Sequence, residues 1–194
     1  MLPAEAHVAA IDGFLAERLA ERTRLRLATE ADAAFLLGLR LDASRNQNIS
    51  ATSSDPSAQV GWMRDYAGRH ATGREAYFVI ETDGVPQGSL RLYDYHPADD
   101  AYYWGSWIIR PGAPAAAAFR SLILAYDLAF GPLGFAKARF NVRQANVSVW
   151  KFHEKTGARM VHSDASDRLY EYDVHAYRMA RARIVKFAQI QDSL

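Results

Sequence analysis

Apolar residues recur along this chain at two periods, one helical and one extended. Val8, Ile11, Leu15 and Leu19 fall at helical spacing between Pro3 and Arg22, with Glu and Arg on the other face, which predicts an amphipathic helix. Leu25-Arg26-Leu27 reads as a short strand. Thr29-Glu30-Ala31-Asp32 has the form of a capping box with Asp in the reciprocal position, and Phe35, Leu36, Leu39 and Arg40 follow on a helix. Arg45 to Ser57 is polar and turn-rich, a loop of about a dozen residues, long enough to carry function. A second helix is expected from Ala58 to Arg69.

A meander comes next. Tyr77-Phe78-Val79-Ile80 is a continuous apolar run, as in a strand covered on both faces. Asp83-Gly84 is a hairpin signal, Ser89 to His96 alternates, and Tyr102 to Ile109 is aromatic and β-branched. A helix over Ala115 to Phe130 carries Phe119, Leu122, Ile123 and Tyr126 on one face. Ala138, Phe140 and Val142 alternate in a further strand. Asn146 to Thr156 reads as a helix, with Gly157 placed as a left-handed cap. Leu169 to Val174 is another strand. His175 to Gln189 closes as a helix with Tyr177, Ala180, Ile184 and Phe187 on one stripe. The order predicts a mixed α/β sheet, an antiparallel meander followed by a parallel β-α-β crossover from Tyr102 to Val142, flanked by helices. Three segments are expected: an accessory helix over residues 1–23, a mixed-sheet domain over 24–174, and an accessory helix over 175–194. The end helices should cover their stripes by packing on the domain or by forming a homodimer interface.

Composition narrows the chemistry. The chain has 194 residues, a formal net charge of +1 and no cysteine. That excludes disulfides, thiolate metal sites and a cysteine nucleophile, and it fits a reducing cytoplasm, the expected location. Near-neutral charge speaks against a dedicated nucleic-acid binder. The longest small-apolar stretch, Ala113 to Phe119, falls far short of the ~20 residues of a membrane span. Glu5, Asp12 and Glu17 break up any signal-peptide core. No GxxxxGK, GxGxxG or GxSxG occurs. The histidines at 7, 70, 96, 153, 162 and 175 offer no pair at ligand spacing, so no metal is expected.

The informative stretch runs from Trp104 to Gly157. Trp107-Ile108-Ile109 ends a strand, and Arg110-Pro111-Gly112-Ala113-Pro114-Ala115-Ala116 leads into a helix, with Pro114 suited to its first position. Free N–H groups and the helix dipole at such a turn make an anion site; the alternative is a capped, alanine-rich helix start. Downstream stands Asn146-Val147-Ser148-Val149-Trp150-Lys151-Phe152-His153-Glu154-Lys155-Thr156-Gly157-Ala158. This segment resembles the closing motif of the GNAT superfamily of acetyl-CoA-dependent N-acetyltransferases. Arg110-x-x-Ala113-x-Ala115 is similar to that family's pyrophosphate signature. The resemblance covers Arg24 to Val174 and is nearest to the sugar-nucleotide and RimJ/RimL-like branch.

The resemblance implies a GNAT-like sheet and acetyl-CoA as co-substrate. Trp107, Ile108 and Ile109 would offer backbone groups to the pantetheine, and Arg110, Gly112, Ala113, Ala115 and Ala116 would wrap the pyrophosphate. Asn146 would bond the cofactor, or else cap its helix. His153 stands where many members carry a tyrosine that protonates the departing thiolate. It is therefore a candidate acid near neutral pH, or a partly buried helix histidine. No carboxylate stands near Tyr103 or Trp104, where relatives place a base. Asp94 and His96 are the substitutes, acting through water, with surface or turn roles as the alternative.

On the acceptor side, Asn46, Asn48, Gln59, Trp62, Arg91, Tyr93 and Trp104 suit hydroxyls, sugar or base rings and phosphate, and otherwise read as a polar loop and core aromatics. The reading is an enzyme that moves acetyl from acetyl-CoA to a small-molecule primary amine, foremost an amino-sugar nucleotide of a surface-polysaccharide pathway, by direct attack in a ternary complex. The alternatives are a protein N-terminus or polyamine as acceptor, and a non-catalytic CoA-binding sensor or scaffold.

Overall fold

In the computed structural model, residues 2–19, 21–44 and 46–192 are described, with the backbone alone at Asn46 and Asp192. Their elements run α1 (Ala4–Ala16), β1 (Thr23–Leu27), α2 (Ala33–Leu41), α3 (Pro56–Ala71), β2 (Ala76–Thr82), β3 (Val85–His96), β4 (Ala101–Ile109), α4 (Ala115–Phe130), β5 (Lys137–Arg143), α5 (Val147–Thr156), β6 (Arg159–Ser163), β7 (Asp167–Asp173) and α6 (Val174–Asp192). The strands form one seven-stranded mixed sheet in the order β1-β2-β3-β4-β5-β7-β6. All neighbours are antiparallel except β4 and β5, the crossover pair.

Side-chain alternation sorts the two faces. Phe78 and Ile80 of β2 join the large core beneath α1, α4 and α6, whereas Tyr77 and Val79 join Leu36, Met63 and Tyr66 under α2 and α3. The continuous apolar run is therefore a strand covered on both sides. Asp83 and Gly84 both take positive φ (52° and 76°), the pair of left-handed residues that a two-residue hairpin requires. Asp32 accepts the Thr29 N–H at 2.8 Å, the reciprocal arm of the capping box, and also grips Arg26 through both carboxylate oxygens.

Three local expectations are corrected. α1 ends at Ala16, and it buries His7, Ile11 and Phe14, so the buried stripe is rotated from the Val8–Leu15–Leu19 line; Leu19 is 64% exposed. On α6 the fourth buried position is Ala188, and Phe187 is 47% exposed. Pro114 is the N-cap of α4 rather than its first helical residue, because its ψ of 134° is extended.

Both end helices pack on the domain. Tyr177 and Arg181 of α6 converge on Asp127 of α4, the Tyr177 hydroxyl donating at 2.7 Å and Arg181 donating at 2.7 and 2.6 Å. On α1, His7 Nδ1 donates to the Gly73 carbonyl at 2.9 Å. Gly73 has φ +67°, and a Cβ there would stand 1.8 Å from the Ala4 carbonyl oxygen, so only glycine lets α1 approach this loop. No helix among the described residues is long and apolar enough to cross a membrane. Ile184 of α6 is buried in the main core. Ile184→Ala should lower unfolding free energy by about 2–5 kcal/mol, measured by urea titration; a loss under about 0.5 kcal/mol would show that α6 adds little to that core.

Candidate active site

β4 and β5 pair over three positions only, Ala101↔Lys137, Tyr102↔Ala138 and Tyr103↔Arg139. From Trp104 onward β4 keeps its β3 partner, and among the described residues no strand pairs with it on the β5 side. A bulge marks the parting. Two steps along β3, Ser89 to Arg91, face three along β4, Gly105 to Ile108, and Ser106 takes φ +49°. The Ser89 hydroxyl holds the bulge by donating to the Ser106 carbonyl at 2.9 Å. Gly88 allows the close approach, because a Cβ there would lie 2.3 Å from the Ile108 carbonyl oxygen. The result is an open seam in the sheet, where among the described residues one edge of β4 has no strand beside it.

At one mouth of the seam, β4 runs into the start of α4. The Arg110 N–H and Nε donate to the Gln87 backbone and side-chain oxygens, both at 2.8 Å. Gly112 has φ +76°, with nothing within 4 Å of where a Cβ would point. Pro114 supplies no side-chain cap, and Ala115, Ala116 and Ala117 open the helix. An uncapped N-terminus with small side chains fits the diphosphate of CoA. Trp107 faces inward here, donating from its indole N–H to Ser121 Oγ at 3.2 Å, while Ile108 is buried and Ile109 half-buried. Asn146 is the N-cap of α5, but its side chain makes no capping hydrogen bond, which leaves it available to a ligand.

His153 lies on α5 directly behind the seam. It is 1% exposed, and its ring centroid sits 4.4 Å from Phe140, 5.4 Å from Phe152, 5.7 Å from Trp104 and 6.2 Å from Trp107. Nδ1 has no hydrogen-bond partner among the described residues. Burial pushes the imidazole down to about 3, so the ring is neutral at physiological pH. An imidazolium acid that titrates near neutrality is therefore corrected: an apolar cage disfavours the cation such an acid would need. Asp94 and His96 are not brought to the site either. Both are exposed, and they sit where β3 faces the start of β4, at the closed end of the seam.

The other mouth opens into a cavity of about 590 Å³ between the α2–α3 loop, α3 and strands β3 to β5. Asn48, Gln59, Trp62, Arg91, Tyr93 and Trp104 all line it; the Asn46 side chain lies outside the described residues. Sequence reasoning missed Arg40, Tyr77, Asn141, Arg143 and Asp167 in the same wall. Arg40 is anchored to the loop, its Nε donating to Thr52 Oγ1 at 2.5 Å and its Nη2 to Ser50 Oγ at 3.0 Å. Arg143 donates to Asp167 at 2.9 Å across the β5–β7 register. Burial raises the Tyr77 phenol above its ordinary value, and Ser89, Arg40 and Arg91 act in the opposite direction.

Comparison with known proteins places this geometry. Residues 22–159 match the Acetyltransferase (GNAT) domain family. FdhC, described as a nucleotide-linked sugar GNAT, is 35% identical, with a TM-score of 0.78 over 86% of this chain and 95% of that one. Mycobacterium smegmatis RimJ, solved with CoA-disulfide, is 18% identical, with a TM-score of 0.67 over 82% and 88% of the two chains. The Vibrio cholerae spermidine N-acetyltransferase SpeG is 17% identical, with a TM-score of 0.66 over 80% and 96%. The last two share the fold. A search of curated protein sequences gives no match. The fold and the family match together define an acetyltransferase. The chain belongs to the GNAT acetyltransferase family.

Two measurements follow. Ala115→Glu puts bulk and negative charge at the exposed start of α4. It should abolish CoA binding by calorimetry while the protein stays folded; unchanged affinity would remove the diphosphate from this turn. The second concerns His153. Above its unfolded pKa of about 6.5 both states are neutral there, and stability does not depend on this group. Between about 6.5 and about 3 the unfolded chain binds a proton that the folded chain refuses, so stability falls as pH falls. The slope is at most about 1.4 kcal/mol per pH unit for one group. His153→Phe should flatten that acid-side loss in denaturant titrations at pH 4 to 7; an unchanged slope would mean the ring is not held neutral.

Proposed function

We propose that this protein transfers acetyl from acetyl-CoA to the amine of a nucleotide-linked amino sugar, by direct attack in a ternary complex. The observation that carries the reading is the charge of the acceptor cavity. Arg40, Arg91 and Arg143 line it against one carboxylate, Asp167. Guanidinium groups bind phosphate oxygens through paired, charge-assisted hydrogen bonds. A polycationic amine would meet repulsion in such a wall. Trp62, Tyr77 and Tyr93 supply ring faces for a base or sugar, and Asn48, Gln59 and Asn141 supply amides for hydroxyls. The likeness to FdhC supports the same acceptor class.

In this reading the two mouths of the seam serve the two substrates. The α4 start and the Gly112 turn hold the diphosphate of acetyl-CoA, the free edge of β4 at Trp107 to Ile109 pairs with the pantetheine, and Asn146 adds a hydrogen bond. The acceptor amine reaches the thioester from the arginine-lined side, beside Gly105 and Ser106. The nitrogen attacks the carbonyl carbon, the C–S bond breaks, and the proton lost by nitrogen passes to sulfur through water. His153 in its ring cage shapes the thioester end as a neutral group. Holding both reactants in register is the main source of rate, since oriented pairs reach effective molarities of ~10⁵ M or more.

The test is CoA release with a panel of amines. Two lost charge-assisted hydrogen bonds are worth about 3 kcal/mol or more, so kcat/KM for a nucleotide-linked amino sugar should exceed that for spermidine or a free peptide N-terminus by about 100-fold or more. Equal or higher kcat/KM for spermidine would overturn the reading.

A further inference from the structure

Behind the acceptor wall lies a buried carboxylate that the reaction itself does not use. Glu75 sits just before β2, is 2% exposed, and does not line the cavity. Its two oxygens are divided between two arginines. Oε1 accepts from Arg91 Nε at 2.5 Å, and Oε2 accepts from Arg69 Nε at 2.6 Å. The backbone beneath is pinned at two points: His70 Nδ1 donates to the Glu75 carbonyl at 3.0 Å, and His7 of α1 donates to the Gly73 carbonyl.

The choice of nitrogen matters. A guanidinium is planar, with five N–H groups in a fixed fork, so holding the Nε edge fixes where the terminal amino groups point. Arg91 Nε is turned toward Glu75, while its guanidinium carbon lies 4.5 Å from the Tyr93 ring centroid and 5.1 Å from that of Trp62. Trp62 itself lies parallel to Tyr66, their ring centroids 6.0 Å apart at 4°. The side chain is locked on one edge and flanked by two rings, and it still reaches the cavity. A buried carboxylate is costly to strip of water, and two cations offset that cost here. A pair whose only work was stability would gain nothing from placing one cation in the wall of the substrate cavity.

We propose that Glu75 is a positioning residue for the acceptor: it orients Arg91 so that the terminal N–H groups of Arg91 grip the acceptor's phosphate. This rests on the anionic acceptor of the preceding section and adds the residue that sets its grip. Arg69 serves as the second counter-cation, and α1 and His70 hold the loop in place.

The experiment combines steady-state kinetics with calorimetric titration of inorganic pyrophosphate into protein saturated with CoA, which occupies the α4 turn, on the full chain and on Glu75→Gln, Glu75→Asp, Arg91→Met and the Glu75→Gln/Arg91→Met double variant. Glu75→Gln should raise acceptor KM by about 10-fold, with kcat and the acetyl-CoA KM within about twofold of the parent. Glu75→Asp should restore part of that loss. Pyrophosphate affinity should fall in Glu75→Gln and in Arg91→Met, and the double variant should be no weaker than Arg91→Met alone, because Glu75 acts through Arg91. Additive losses in the double variant, or an unchanged pyrophosphate affinity in Arg91→Met, would overturn the proposal. If Glu75→Gln does not fold, a folded Glu75→Asp with parental acceptor KM and pyrophosphate affinity overturns it as well. The two readings fail separately. Pyrophosphate binding that depends on Glu75 and Arg91, with no turnover of nucleotide-linked amino sugars, removes the acceptor and keeps the positioning role. Normal turnover with pyrophosphate binding indifferent to Arg91 does the reverse.

Discussion

β4 and β5 share three register pairs and then separate, and the separation sets where everything else stands. A parallel pair that stayed in register would bury its backbone groups in a ladder and leave no room between the strands. The bulge at Ser106 diverts β4, and the Ser89 hydroxyl and the missing side chain at Gly88 hold the diversion in place. The same departure points the end of β4 at the start of α4, which creates the uncapped turn, and it opens the sheet between Trp104 and Asn141, which creates the cavity. In the function proposed above, the two substrates approach one seam from opposite sides, an arrangement that suits direct transfer between them.

The cavity is organised before any ligand enters. Each of its three arginines is tied by a protein acceptor: Arg40 to Thr52 and Ser50, Arg91 to Glu75, Arg143 to Asp167. A free surface arginine would lose rotamer entropy on binding; an anchored one has lost most of it in folding. The opposite face is treated differently. Trp104, Trp107, Phe140 and Phe152 surround His153 with rings, and the imidazole there stays uncharged. One side of the seam is thus cationic and tethered, the other apolar and neutral.

The element order and the sheet class are legible in the sequence because they rest on local signals. The apolar run of β2, the Asp83-Gly84 turn and the Ala115 to Phe130 periodicity appear in the structure where the pattern places them. Asn48, Gln59, Trp62, Arg91 and Tyr93, singled out by residue type on the α2–α3 loop, α3 and β3, line one cavity. What the sequence hides is long-range. Arg143 and Asp167 become partners only through the β5–β7 register, and Arg40 reaches the cavity because the loop after α2 folds back onto it. His153 is flanked along the chain by Lys151, Glu154 and Lys155, so the sequence leaves it at most a partly buried helix histidine; the rings that bury it fully come largely from other elements. Glu75 looks like any polar loop residue until Arg69 and Arg91 are placed on either side of it.

Gly73 gives the first helix a role that its distance along the chain conceals. The helix closes on that residue so tightly that no side chain fits between them, and two residues further on the same loop supplies the Glu75 carboxylate. Mechanically, α1, the Gly73 turn, Glu75 and Arg91 are connected in series, and the stiffness of such a chain is set by its softest link. The amino-terminal helix lies outside the residues matched to the family, yet it is a structural abutment of the cavity wall.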